Sequence, residues 1–365
     1  MDFGTCAAVE DSGVRAAAAE ALEAILERLR SRDVERMIEA AREIRRLTKT
    51  SSRHRRLLSG AIDPLVVMLQ KEKLECREAA ILALINLAVK DEGNKIKIVD
   101  AGALDPLIGF LQSTNSNLQE FATAALLTLS ATSINKQIIS STDAIPLLVK
   151  IMKNGSQQAK VDAVMALYNL STISGNLETI LRAQSISPLI SVFKSCNKCS
   201  KTADKCCTLL ESLLSFDEGR TALTAEEGGV LALVEVLEEG SWHGKEHAVG
   251  ALLTLCESDR SRYRDVILKE GVIPGLLELT VQGTPKSRSK ARQLLKLLRN
   301  APYQRSELEA DALQNLVCNI VSRMDGEECA GKAKKMLADM VQVSMEQSLR
   351  HLQQRALVCI PSDLP

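Results

Sequence analysis

Aromatic residues are scarce in this sequence, at 2% of 365 residues. A β-sandwich draws much of its packing from aromatic and β-branched side chains, so this scarcity argues against that class of fold. Hydrophobic residues still reach 45%, which leaves Leu, Ile, Val and Ala to build the core. Such a mixture suits closely packed helices.

The chain also lacks a net charge, with 46 Lys and Arg against 46 Asp and Glu. A protein without a global field is not drawn to nucleic acid or to an anionic membrane, so both kinds of partner are disfavoured. The four histidines are scattered, and the sequence offers no Ser/His/Asp arrangement and no glycine-rich phosphate loop. We therefore expect no catalytic residue, no metal, no cofactor and no small-molecule substrate.

Long hydrophobic runs are missing as well. The longest, residues 79–89, contains Asn86 and is too short to span a bilayer. The N-terminal region holds no apolar segment that resembles a secretory signal. The ten cysteines have no disulfide-framework spacing, which is typical of reduced intracellular thiols. We expect a protein of the cytoplasm, the nucleus or both.

What the sequence does contain is a repeat of about 42 residues. Its opening block appears first as Gly-Ala-Ile-Asp-Pro-Leu and later in looser copies. The blocks begin at Gly60, Gly102, Thr142, Gln184, Gly228 and Gly271. A fixed period near forty residues predicts a solenoid of stacked helical units.

A second motif follows each block by about twenty residues. Ala80, Ala83, Leu84 and Leu87 have the i, i+3, i+4, i+7 spacing of one helical face. The same stripe returns from Ala122, Ala163, Cys206, Ala248 and Ala291, and an upstream half-copy holds Ala40, Ile44 and Leu47. One helix pair cannot bury such a face alone, so the copies must stack.

The opening blocks also predict helix boundaries. Left-handed helix ends are predicted at Gly60, Gly102, Gly228 and Gly271. The first turns of the next helices are predicted to hold Pro64, Pro106, Pro146 and Pro188. N-caps are predicted at Asp63, Asp105 and Ser187.

The period, the opening block and an Ala-Leu-x-Asn-Leu closing helix together resemble the armadillo repeat, with Asn86 and Asn169 where that family usually has asparagine. Within the family, the chain is most similar to the armadillo regions of plant U-box ubiquitin ligases, above all in residues 283–295. The resemblance covers about residues 32–300 and implies an all-α fold, a right-handed armadillo-repeat superhelix (α-solenoid) of about six repeats plus a partial first. Outside it, the residue pattern predicts an N-terminal helical lead-in over 1–31 and a C-terminal helical extension over 301–365, which would be helical caps at both ends.

The resemblance further implies a non-catalytic scaffold or adaptor that binds a protein or peptide, in ubiquitin-linked or defence signalling. No segment resembles a U-box, and residues 1–31 are too few to hold one, so ligase activity is not expected to carry over. A component or divergent member of a ubiquitin ligase is the alternative, and nucleic-acid or nuclear-transport binding is a second. The nuclear-transport alternative is weakened because the groove tryptophans of importin-α are replaced here by Leu82, Ala124, Met165, Thr208 and Gly250.

In armadillo proteins the third helix of each repeat lines the concave surface, and the matching positions here form a polar ladder. The ladder residues are Arg46, Asn86, Thr128, Asn169, Ser212 and Thr254. Carboxamides and hydroxyls can bond the backbone of an extended peptide whatever its sequence. Leu297 continues the register but cannot do so, so the groove is predicted to end before the last repeat. Met165 and Phe121 are predicted to supply pockets. The alternative is that the ladder is only an exposed helical face.

Two sequence patterns resemble metal-binding sites, but the repeat register argues against both. His243, Glu246 and His247 match the H-x-x-E-H zinc-peptidase pattern, but His243 is predicted at or before the start of its helix, so the two histidines would not share a face. Cys196-x-x-Cys199 with Cys206 and Cys207 has four thiols for a tetrahedral site. Cys206 and Cys207, however, occupy slots that other repeats fill with buried residues, so core packing is the preferred interpretation.

Two further features concern the end of the chain. A basic run contains Lys286, Arg288, Lys290 and Arg292. It predicts a docking point or a nuclear-import signal. The alternative is a solvated helix face. Beyond Pro302, an apolar stripe runs from Leu313 to Met324, and a second amphipathic segment runs from Leu337 to Leu352. We predict that these segments cap the last repeat; the alternative is a surface for self-association or for a partner helix.

Overall fold

The computed structural model describes residues 20–299, and all regular structure within them is helical. Two helices come first, α1 over residues 20–29 and α2 over Val34–Thr48. Repeats 1 to 3 contain α3 (Ser52–Leu57), α4 (Ile62–Leu69), α5 (Leu74–Ala88), α6 (Glu92–Asp100), α7 (Leu104–Leu111), α8 (Ser116–Leu129), α9 (Ser133–Ser140), α10 (Ala144–Asn154) and α11 (Gln157–Ser171). Repeats 4 to 6 contain α12 (Ser174–Arg182), α13 (Ile186–Ser195), α14 (Lys201–Leu213), α15 (Asp217–Ala225), α16 (Gly229–Glu239), α17 (Trp242–Ser258), α18 (Arg260–Lys269), α19 (Ile273–Gln282) and α20 (Pro285–Leu298). The predicted C-terminal extension over 301–365 and the part of the predicted lead-in before residue 20 lie outside the described residues, whereas residues 20–29 of the lead-in are helical.

The third helices of successive repeats form one layer. Starting from α2, each packs beside the next through α5, α8, α11, α14, α17 and α20. Second helices contact second helices of neighbouring repeats in the same order, as α7, α10, α13, α16 and α19 do. The described residues therefore form the predicted all-α solenoid.

The predicted stripes form the core of this stack. Ala163, Ala166, Leu167 and Leu170 are all fully buried, and the stripes of the neighbouring repeats are buried in the same way. Burying each leucine side chain contributes about 1.5–3 kcal/mol to the stability of the folded state. Leu47 and Leu295, in the outermost third helices of the described stack, are only partly buried.

Three of the four predicted glycine ends are confirmed. Gly102, Gly228 and Gly271 have φ of 85°, 67° and 78°, a region that costs other residues strain. The prediction for Gly60 is wrong, because a 3-10 turn over Leu58–Ala61 runs directly into α4 and needs no left-handed residue. In repeat 4, Gln184 takes the left-handed position at φ 58°.

The four prolines lie in first helical turns as predicted, but the predicted N-caps are wrong. The helices begin at Ile62, Leu104 and Ile186, one residue before Asp63, Asp105 and Ser187. The first four amides of a helix have no intrahelical acceptor, so a proline is tolerated beyond the first position. Side-chain N-caps occur instead at the third helices of repeats 2 to 6, on Asn115, Ser156, Ser200, Ser241 and Thr284.

Candidate partner-binding groove

The partly exposed sides of the third helices make one continuous surface, which we call the third-helix face. All six ladder residues lie on third helices. The side chain of Arg46 is 73% exposed, whereas Asn86, Thr128, Asn169, Ser212 and Thr254 are half-buried. The structure thus places the ladder along the stack at one position in each repeat.

The two ladder asparagines also connect neighbouring repeats. Nδ2 of Asn86 donates to the carbonyl of Arg45 at 2.8 Å. Nδ2 of Asn169 donates to Ser130 Oγ at 3.1 Å and to the carbonyl of Leu127 at 3.4 Å. Each carboxamide nitrogen therefore holds two repeats together, and the oxygen is the group best placed to accept from a peptide N–H.

The ladder hydroxyls bond within their own helices. Thr128, Ser212 and Thr254 donate to carbonyls four residues earlier, at 2.9, 3.1 and 3.0 Å. Their lone pairs can still accept a hydrogen bond. A peptide would therefore meet an acceptor at each position from Asn86 to Thr254, whereas donors remain on the guanidinium of Arg46 and on the second hydrogen of Asn86 Nδ2.

The surface beside the ladder changes character along the stack. In repeats 1 to 3 the residues one and four positions before the ladder are uncharged and partly exposed: Leu82, Ile85, Ala124, Leu127, Met165 and Tyr168. We call this set the apolar floor, and half-buried Phe121 lies on the same helices. At repeat 4 the residue one position before the ladder is charged, Glu211, and Lys205 of the same helix places its Nζ 3.8 Å from the centre of the Tyr168 ring.

A group of three side chains crosses the face at repeat 5. Glu211 on α14 lies 2.6 Å from Nζ of Lys290 on α20, and its other oxygen lies 2.6 Å from Nδ1 of His247 on α17. Packed helices lie about 8–10 Å apart, so only side chains that pass over α17 can join α14 to α20. We call this group the cross-helix bridge.

Gly250 makes room for the cross-helix bridge. A Cβ at this position would overlap the carboxylate of Glu211 and come within 2.5 Å of Lys290 Nζ. Gly250 stands four residues before Thr254, so the bridge takes the place that a side chain fills in the other repeats.

The bridge lowers the pKa of Glu211. Burial favours the neutral acid, but hydrogen bonds from His247 and Lys290, together with their charges, outweigh it and bring the pKa below its ordinary value. The carboxylate is 23% exposed, so it is partly shielded from solvent screening.

Acidification should therefore remove stability through Glu211. A carboxylate whose folded pKa lies below its unfolded value stabilises fully above the unfolded pKa, and this stabilisation is lost as pH falls through the folded pKa. We expect the urea midpoint of the wild type to fall more than that of Glu211→Gln between about pH 6 and about pH 3. Equal losses would mean that the bridge contributes nothing to this pH dependence.

The basic run divides between two surfaces. Lys286, Arg288 and Arg292 are exposed, and Arg288 and Arg292 border a shallow depression together with Lys296. Lys290 instead turns toward Glu211. The structure thus brings together two of the four predicted residues and engages a third elsewhere.

The prediction about the histidines is wrong in one respect. His243 is the second residue of α17, and its ring lies edge-on to that of His247 with centroids 4.6 Å apart. The two share a helical face, because the helix starts at Trp242. Within residues 20–299 no group of three side chains is arranged to hold a metal; His247 contacts Glu211, and Glu246 accepts from Thr284 at 2.7 Å.

The cysteines follow the preferred interpretation. Cys206 and Cys207 are fully buried, and burial raises the pKa of both thiols well above the ordinary value. Cys199 is exposed and Cys196 half-buried, and both are free thiols. The buried pair therefore packs as small hydrophobes.

Sequence reasoning missed a row of buried asparagines on the first helices. Nδ2 of Asn94 donates to the carbonyls of Arg55 and Leu87, both at 3.0 Å. Asn135 and Asn176 bond the preceding repeat in the same manner. Their spacing, close to the repeat period, is the signal that would have identified them.

Comparison with known proteins shows what this chain is similar to. The sequence profile of the plant U-box protein ARM repeat region matches residues 21–318. U-box domain-containing protein 17 of Arabidopsis thaliana is 32% identical over 295 residues, 79% of this chain and 39% of that protein. U-box domain-containing protein 45 of Arabidopsis thaliana is 29% identical over 264 residues, 70% of this chain and 34% of that protein. The chain thus spans about two fifths or less of the length of these two relatives.

Solved structures agree on the fold. An engineered protein with 23% identity matches with a TM-score of 0.65, covering 80% of this chain and 71% of its own. A second engineered protein with 20% identity gives a TM-score of 0.53 over 66% of this chain and 99% of its own. Within residues 20–299, no helix combines the length and apolar character needed to cross a membrane. With its profile match extending over most of the sequence, the chain belongs to the family of plant U-box protein ARM repeat regions.

Proposed function

We propose that the protein is a non-catalytic scaffold or adaptor that holds an extended segment of a partner protein on its third-helix face. The observation that carries the proposal is the ladder, which offers a side-chain hydrogen-bond acceptor at one position in each of repeats 1 to 5, from Asn86 to Thr254, on a continuous surface. Solenoids of this kind typically bind partners along such extended faces. We place the protein in the cytoplasm, the nucleus or both, within ubiquitin-linked or defence signalling.

The proposal predicts that the ladder asparagines matter for binding. We expect Asn86→Ala combined with Asn169→Ala to weaken partner capture from a plant-cell extract by about tenfold, because two hydrogen bonds of about 0.5–1.5 kcal/mol each are lost. Quantitative mass spectrometry of the captured proteins measures the effect.

Since both asparagines also hold repeats together, the experiment needs a control that is destabilised elsewhere. Asn94→Ala breaks a comparable inter-repeat contact on a first helix, away from the third-helix face. Capture should survive in this control at temperatures where both proteins remain folded. Equal loss in the two variants, or no loss in the double variant, would contradict groove binding.

A ubiquitin ligase, or a component of one, is the second candidate, because the relatives above carry the U-box name. A ubiquitination assay with the purified chain and the upstream enzymes separates the two candidates. Ubiquitin chains that form only when this protein is added to the upstream enzymes would favour the ligase. Absence of such chains would favour the scaffold.

A further inference from the structure

The third-helix face is not uniform, and its two halves differ in what a ligand can reach. In repeats 1 to 3 the apolar floor is partly exposed. At repeat 5 the cross-helix bridge lies against the backbone of α17 at Gly250. A peptide lying on α17 would first have to displace two hydrogen bonds to a partly buried carboxylate, which costs more than exchanging bonds with water.

The open half also has an acidic edge. Glu78 on α5 and Glu120 on α8 are half-buried, and neither forms an ion pair with any Lys or Arg among residues 20–299. Glu120 accepts only a hydroxyl, from Ser156 Oγ at 2.5 Å. Glu120 is also the one charged residue of α8. Among residues 20–299, the edge therefore keeps two carboxylates without an ion pair beside the floor residues of α5 and α8, and Lys205 brings positive charge only to the α11 end of the floor, at Tyr168.

We propose that the partner segment lies on α5, α8 and α11, directs apolar side chains at the floor and basic side chains at the acidic edge, and stops before the cross-helix bridge. This inference rests on the proposed function. Contact with the apolar floor buries apolar surface of the partner, and the unpaired carboxylates favour positively charged side chains by electrostatic complementarity. The usable face is then shorter than the ladder, because Ser212 and Thr254 lie at or beyond the bridge.

The test uses a randomised 12-residue peptide library displayed on phage and selected on the full chain. Peptides enriched on the wild type should combine apolar and basic residues. Synthetic copies are then measured by fluorescence anisotropy against matched variants. Ala124→Trp fills the floor, and Gln293→Trp places the same side chain at the same register beyond the bridge.

We expect Ala124→Trp to weaken these peptides at least about tenfold and Gln293→Trp to change affinity less than about twofold. If Ala124→Trp fails to fold by circular dichroism, Leu82→Trp fills the floor at the same register in repeat 1. Glu78→Gln with Glu120→Gln should weaken binding about tenfold, whereas Glu218→Gln, an exposed acid on a first helix, should not.

The outcomes of this experiment distinguish failure of this inference from failure of the proposed function on which it rests. Peptides that bind the face but are acidic, or that are weakened as much by Gln293→Trp as by Ala124→Trp, overturn the inference and leave groove binding standing. Absence of any enriched peptide sensitive to a third-helix substitution overturns both.

Discussion

Leu126→Ala should lower the free energy of unfolding by about 2–5 kcal/mol, the range measured when a buried leucine is truncated. Leu126 is 0% exposed in α8, which packs between α5 and α11. Because both neighbours are themselves part of the stack, neither can move in to fill the cavity without opening another interface. Urea titration followed by circular dichroism measures the change.

Leu57→Ala is the matched control, since Leu57 is 51% exposed on α3. Its truncation removes little buried surface and should cost less than about 1 kcal/mol. If the two variants lose equal stability, the assignment of the Ala-Leu stripe to the core is wrong.

Asn94→Ala should lower the free energy of unfolding by about 2–3 kcal/mol. The substitution leaves the carbonyls of Arg55 and Leu87 without this donor in a site where Asn94 is 3% exposed. A buried acceptor that loses its partner bears its desolvation penalty of about 1–3 kcal/mol. The same urea titration detects the loss, and the cost falls on the contact between repeats rather than on one helix.

Asn154→Ala provides the comparison, because Asn154 is exposed at the end of α10. Its substitution should change stability by less than about 0.5 kcal/mol. A loss at Asn94 no greater than at Asn154 would show that the buried amides do not connect the repeats.

The features that sequence predicted well are those that depend on one helix or one turn. The stripe from Ala163 to Leu170 follows from helical periodicity, and the turns at Gly102, Gly228 and Gly271 follow from the conformational freedom of glycine. The N-cap predictions failed because a proline can occupy any position in a first turn, so it marks the turn and not its first residue.

The features that sequence missed depend on two or more repeats at once. The cross-helix bridge joins Glu211 to Lys290, residues that are two repeats apart, and requires the absence of a side chain at Gly250. Periodicity identifies which residues share a slot. It does not show that a missing side chain in one repeat admits a contact between the repeats on either side.

The central claim is that a partner segment lies on the third-helix face, and photo-cross-linking tests it most directly. An enriched peptide carrying a benzophenone is irradiated with the full chain, and mass spectrometry locates the attachment. The account predicts attachment to α5, α8 or α11, between about residues 78 and 169. Attachment to the second helices α7, α10 or α13 would contradict it.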